Sequence, residues 1–114
     1  MRVCAANETP CLYDVDGLTI FGSELNDVGL AYFMINRAGP DDGDAHHYVE
    51  FFDQKYGKFD GIRNIDLASG SLALSLTYDV NDLGCDFLID LTAPIDAVSA
   101  EWIAKLAAEI RARQ

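Results

Sequence analysis

The sequence predicts an α+β fold, a mostly antiparallel β-sheet of about six to seven strands with one C-terminal α-helix packed on it. Residues 1–114 are expected to form this as one domain. Three observations carry the prediction. Short apolar runs with a period of two recur along most of the chain. Turn signals rich in Gly, Asp and Asn separate them. Only the tail, TAPIDAVSAEWIAKLAAEIRARQ, switches to helical spacing. No strand–helix–strand alternation appears, so a wholly parallel sheet is not expected.

Strands are expected at about 1–5, 17–22, 29–37, 46–53, 61–67, 71–78 and 86–92. Asp16-Gly17 turns the chain into the second. LAYFMIN, in the third, is apolar on both sides and suits a central strand covered on both faces. AGPDDGDA, residues 38 to 45, is a polar loop carrying Asp41, Asp42 and Asp44. In the fourth run, HHYVEFFDQ, alternation sets His47, Val49, Phe51 and Asp53 on one face. Tyr48, Glu50, Phe52 and Gln54 take the other. Val49 and Phe51 suit a core, whereas Glu50 needs water or a partner.

Lys55-Tyr56-Gly57-Lys58 reverses the chain, and Gly61-Ile62 opens the fifth strand. Gly57 and Gly61 are expected to serve backbone geometry, and Gln54 to tie the turn by hydrogen bonds. Ser69-Gly70 joins the fifth and sixth strands as a hairpin. In SLALSLTY, Leu72, Leu74 and Leu76 alternate with small polar residues, and DFLIDLT repeats the pattern with Phe87, Ile89 and Leu91. In the tail, Val98, Trp102, Ile103, Leu106 and Ile110 form one stripe that needs a sheet to lie on. Asp96 or Ser99 suits the cap, Glu101 the first turns, and Arg111 and Arg113 the negative C-terminal end.

Composition narrows the function. Nineteen acidic residues against eight basic ones give a formal net charge of −11 and a pI near 4.2. Such a surface repels phosphate backbones, which argues against nucleic acid, and speeds encounter with a basic protein. No apolar run approaches the roughly 20 residues of a membrane span. MRVCAANETP has no apolar leader core, so a cytoplasmic location is expected. Cys4, Cys11 and Cys85 form no C-x-x-C pair and read as reduced, small buried hydrophobes.

No constellation carries an enzyme or a cofactor. His46 and His47 are adjacent and point to opposite faces of a strand, so they do not grip one metal together. Asp42, Asp44 and His46 form the only cluster that would hold a divalent ion, and that weakly. Asp79, Asn81, Gly84 and Asp90 echo a calcium loop. Leu83 stands at its fifth position, however, and strands flank it. Ser69, Ser71 and Ser75 lack a nucleophile elbow, and Glu50 and Asp53 diverge along their strand. The expectation is a non-enzyme without metal or cofactor. The alternative is a small-ligand or metal-binding α+β module.

HYVEFFDQKYGKFDGIRNIDLASGSLALSL resembles the core signature of the immunity protein ten family of bacterial polymorphic-toxin systems. The resemblance rests on Tyr48, Glu50, Asp53, Gln54, Tyr56, Gly57, Gly61, Ile62, Leu67, Leu72, Leu74 and Leu76, and covers about residues 46 to 78. Phe59-Asp60 stands where the family has a more glycine-rich turn. The resemblance implies a cytoplasmic protein that binds and neutralises a cognate toxin domain, with no catalytic residue to carry over. Gln54, Gly57 and Gly61 then define the fold. For the toxin contact the expected residues are Asp41, Asp42 and Asp44, then Glu50 and Asp53, with Tyr56 and Phe59 as aromatic anchors.

Overall fold

Two β-sheets share one core in the computed structural model, which describes residues 1–26, 30–37, 46–51 and 53–114, with Gln54 described by its backbone alone. Among the described residues nine strands run in order: β1 (Arg2–Ala5), β2 (Cys11–Val15), β3 (Leu18–Glu24), β4 (Tyr32–Arg37), β5 (His47–Phe51), β6 (Lys58–Phe59), β7 (Ile62–Ala68), β8 (Ser71–Leu76) and β9 (Asp86–Asp90). A short 3-10 turn, Gln54–Tyr56, separates β5 from β6, and the α-helix α1 (Ala97–Ala112) follows β9. The expected α+β class therefore holds, with the strands divided between two sheets. One is four-stranded, β1-β9-β8-β7, and the other five-stranded, β2-β3-β4-β5-β6.

The seven expected strands all appear, and β2 and β6 are additional. Cys11–Val15 has four of its five residues exposed, so it carries no apolar alternation to betray it. It exists because Asp16 and Gly17 take φ of 51° and 83°, closing a two-residue turn that pairs Val15 with Leu18. The segment Lys58–Phe59 pairs only with β5 and is too short to show a period. All pairings are antiparallel except that of β1 with β9. Beyond β1 the chain crosses between sheets, Ala6 donating to Asp90 at 2.8 Å and Asn7 to Glu24 at 3.0 Å.

The inner faces interdigitate through aromatics. Phe51 from β5 stacks on Phe87 from β9 with centroids 4.8 Å apart, and Phe33 lies 6.1 Å from Phe51. Leu72, Leu74 and Leu76 alternate inward from β8, each at most 1% exposed. Burying side chains of this size is worth about 1.5–3 kcal/mol each, which is what ties the two sheets into one body.

Helix α1 lies along β7 and continues the four-stranded layer, so Trp102 stacks on Phe21 of the opposite sheet at 6.3 Å. Ile103, Leu106 and Ile110 are buried as expected. Val98, expected in the same stripe, is 67% exposed; Ser99 and Ala107 are buried instead. Val98 sits in the first turn, one position off the buried line of Ser99, Ile103, Leu106 and Ile110. Asp96 occupies the N-cap position in an extended conformation, but its side chain makes no capping bond. Ser99 lies inside the helix with a buried hydroxyl that has no hydrogen-bond partner. Glu101 pairs with Lys105 one turn on, at 3.3 Å. Arg37 clips β4 to the helix, 2.8 Å from Glu109 and 5.9 Å above the Trp102 ring.

Candidate partner-binding surface

Strand β5 organises two clusters, one on each side of the five-stranded sheet. Its inner face carries His47, Val49 and Phe51, all buried. Its outer face carries Tyr48 and Glu50, as alternation requires.

Glu50 is 7% exposed, an unusual burial for a carboxylate on an outer face. Both its oxygens are used. Tyr48 donates to Oε1 at 2.7 Å, and Tyr32 on β4 makes a short hydrogen bond to Oε2. The two phenols satisfy the desolvated charge, so it is held in place rather than left to solvent. Burial, and then the hydrogen bond and charge of Glu50, hold both tyrosines above the usual phenol range. Tyr78 is pushed up to about 12 by burial and then by Glu50, and its hydroxyl donates to the Tyr56 carbonyl at 2.6 Å.

The glycines make room for these rings. A Cβ on Gly57 would overlap the Tyr48 hydroxyl, and one on Gly61 would come within 2.8 Å of Val49 and 2.9 Å of Tyr78. Neither glycine has a left-handed φ. Their expected role in backbone geometry is therefore replaced by one of clearance. The residue in the strained conformation is Asp60, with φ of 53°, a place where Asp is better tolerated than most side chains. Its Oδ1 accepts the His46 and His47 N–H groups at 2.8 and 3.3 Å and lies 3.0 Å from Arg113. Burial opposes its ionised form, but these N–H groups and Arg113 outweigh that and hold the carboxyl below its usual range.

His47 accepts the Ile62 N–H on Nε2 at 3.0 Å, and its Nδ1 lies 3.5 Å from Asp60. Burial, with Arg113 and His46, lowers its pKa against the pull of Asp60 and Glu109. The imidazole is thus a neutral structural pin between β5 and β7.

Sequence reasoning missed Tyr32 and Asp60. Tyr32 becomes a neighbour of Glu50 only through the β4–β5 register, which pairs Met34 with Glu50. Asp60 stands before Gly61, and that Asp-Gly step was the available signal.

The residues expected to touch a partner fall into three groups. Asp41, Asp42 and Asp44 lie outside the described residues, as does the side-chain role given to Gln54. Glu50 is enclosed by tyrosines and is not a free surface acid. Asp53 is exposed, but its Oδ1 accepts the Lys55 N–H at 3.2 Å and so shapes the turn. Tyr56, expected to be exposed, is half-buried against the core, with Lys55 5.1 Å from its ring. Phe59 is 47% exposed, its ring 5.0 Å from that of Tyr48.

Cross-strand pairing extends this patch. Tyr13, Ile20, Asn36, Tyr48 and Phe59 form one row on the outer face, with Val15 opposite Leu18 beside it. Tyr13, Val15 and Leu18 are 44%, 42% and 41% exposed. LAYFMIN was expected to be covered on both faces, and Tyr32–Arg37 has no exposed residue, its outward-facing Asn36 being buried.

An open cleft of about 460 Å³ lies where β7 meets the end of the helix, lined by His47, Asp60, Arg63 and Arg113 among others. Its two arginines are engaged, Arg63 lying 3.5 Å from Asp86 and Arg113 bound to Asp60. Among the described residues no group of three or more His, Cys, Asp or Glu side chains could hold a metal. Comparison with protein-family models, with curated proteins and with solved structures returns no match.

Proposed function

We propose that this protein is a non-enzymatic immunity protein, a cytoplasmic inhibitor that binds a cognate bacterial toxin domain and blocks it by complementarity to a basic surface. The observation that carries the reading is the net charge of −11 on a domain that also exposes an aromatic and aliphatic sheet face. Charge of that size steers a basic partner and repels nucleic acid. Exposed apolar side chains then supply the contact energy that charge alone does not. The resemblance of residues 46–78 to immunity protein ten supports the same conclusion.

A small-ligand module is the second reading, favoured by the cleft at the end of the helix. It is the weaker, because the arginines there already face carboxylates.

The test is co-expression with the product of the adjacent gene. Growth rescue and a complex that co-purifies and weakens with rising salt are expected. A neighbour that is harmless alone and does not bind would contradict the reading.

A further inference from the structure

We propose that the outer face of the five-stranded sheet, from the β2–β3 hairpin across to Phe59, is where the partner docks, and that the partner presents a basic surface with an apolar hollow. This deepens the inhibitor reading and rests on it.

Three observations carry the assignment. First, exposed large hydrophobic residues are concentrated there. Tyr13, Val15 and Leu18 cluster at the hairpin and Phe59 stands at the far edge of the same face, with buried Ile20 and Asn36 and half-buried Tyr48 between them. Met1, Val3 and Val98, the others among the described residues, are scattered over other elements. Isolated exposed apolar side chains need no explanation, but four gathered on one face of one sheet mark a contact surface.

Second, the face is already ordered. Glu50 locks Tyr32 and Tyr48, Tyr48 supports Phe59, and Gly57 leaves the space this arrangement requires. Aromatic anchors held before binding lose little side-chain freedom on docking, which favours affinity.

Third, charge selects the occupant. Asp16 at the hairpin turn and exposed Glu24, opposite Tyr32 on this face, border the apolar side chains, and residues 11–20 contain no Lys or Arg. A second copy of this chain would bring another −11 charge against the same acids, so self-association through this face is opposed. A basic partner is attracted, and its apolar hollow receives Tyr13, Leu18 and Phe59.

Cys11 reports on the face directly. Expected to be buried, it is instead exposed, because β2 is an edge strand with four of its five residues exposed, and it lies in the outer row with Gly22, Met34 and Glu50. In a complex with the adjacent-gene product, maleimide labelling of Cys11, followed by peptide mass spectrometry, should slow at least tenfold. Cys85, on the far side of the core beside β9, serves as the internal reference. The double variant Tyr13→Ser/Phe59→Ser should bind at least tenfold more weakly at a temperature where its circular dichroism shows it fully folded. A complex that forms with Cys11 still freely labelled, or that the double variant forms equally well, overturns the docking assignment and leaves the inhibitor reading standing. Failure of the wild type to bind overturns both. Self-association of the wild type alone, with Cys11 protected, assigns the face to a second copy and overturns the basic occupant.

Discussion

The two outer faces of this sandwich are built from the same alternation and differ in what they present. On the four-stranded sheet the outward residues are mostly small, polar or acidic, Asn64, Asp66, Ser71, Ala73, Ser75 and Asp90, with Val3 and Leu88 as an adjacent apolar pair. Its linked side chains, Ser75 donating to Asp86 at 2.7 Å and Arg63 lying 3.5 Å from Asp86, stay partly open to solvent. The five-stranded sheet exposes Tyr13 and Leu18 at its hairpin end and Phe59 at the other, where an enclosed carboxylate, Glu50, joins Tyr32 and Tyr48. Tyr32, Tyr48, Glu50 and Phe59 depend on one another there. An outer face with an enclosed carboxylate and several exposed apolar side chains resembles one side of an interface, whereas a mostly polar one is simply wet.

Substitutions should expose that coupling, and the largest effect belongs to Glu50. Glu50→Ala removes the shared acceptor of Tyr32 and Tyr48 and should cost about 3 kcal/mol, read as a lower urea midpoint. If it costs less than about 0.5 kcal/mol, the triad is not a unit. Gly57→Ala comes next, at about 2 kcal/mol, because its methyl displaces the Tyr48 ring. In a Tyr48→Ala background the same change should cost little, since both act through one side chain.

The inner pin predicts a pH effect on the same side of the molecule. The folded-state pKa of His47 is lowered, so its contribution is complete above the ordinary value of about 6.5 and is lost as pH falls through the lower folded value. Urea midpoints should therefore decline below about pH 6.5, and His47→Gln, whose amide oxygen can still accept the Ile62 N–H, should flatten that decline. At the alkaline end the sign reverses. Tyr32 and Tyr48 are raised, so their contribution is intact below the ordinary phenol value of about 10 and fades above it. Phenolate absorbance should stay incomplete near pH 11 until the chain unfolds.

The smallest effects belong to the other side. Asp66→Asn on the four-stranded face should change stability by less than about 0.5 kcal/mol. Ser99→Ala, which removes a buried hydroxyl without a partner, should raise stability by about 1 kcal/mol. A destabilised Ser99→Ala would mean that the hydroxyl has an acceptor after all.

What could be read from sequence divides along the same line. Strands β7, β8 and β9 were legible because one face is buried and the other wet, which writes a strict alternation into the chain. The helix was legible from its stripe, apart from Val98, whose place on the buried line belongs to Ser99. On the other sheet, β2 was hidden by its exposure and β6 by its length. The Glu50 cluster was half legible. Alternation put Tyr48 and Glu50 on one face, but Tyr32 joins them from 18 residues away through strand register, which local pattern does not encode. The roles of Gly57 and Gly61 depend on rings that cross from other strands, so only the fold reveals them.

The most direct measurement is a paired affinity comparison against the adjacent-gene product by calorimetry. Tyr13→Ser/Phe59→Ser alters the five-stranded face, and Val3→Ser/Asp66→Asn alters exposed positions of the four-stranded one. The account predicts at least a tenfold loss for the first pair and less than a twofold change for the second. Equal losses from both pairs, or a loss confined to the second, would contradict it.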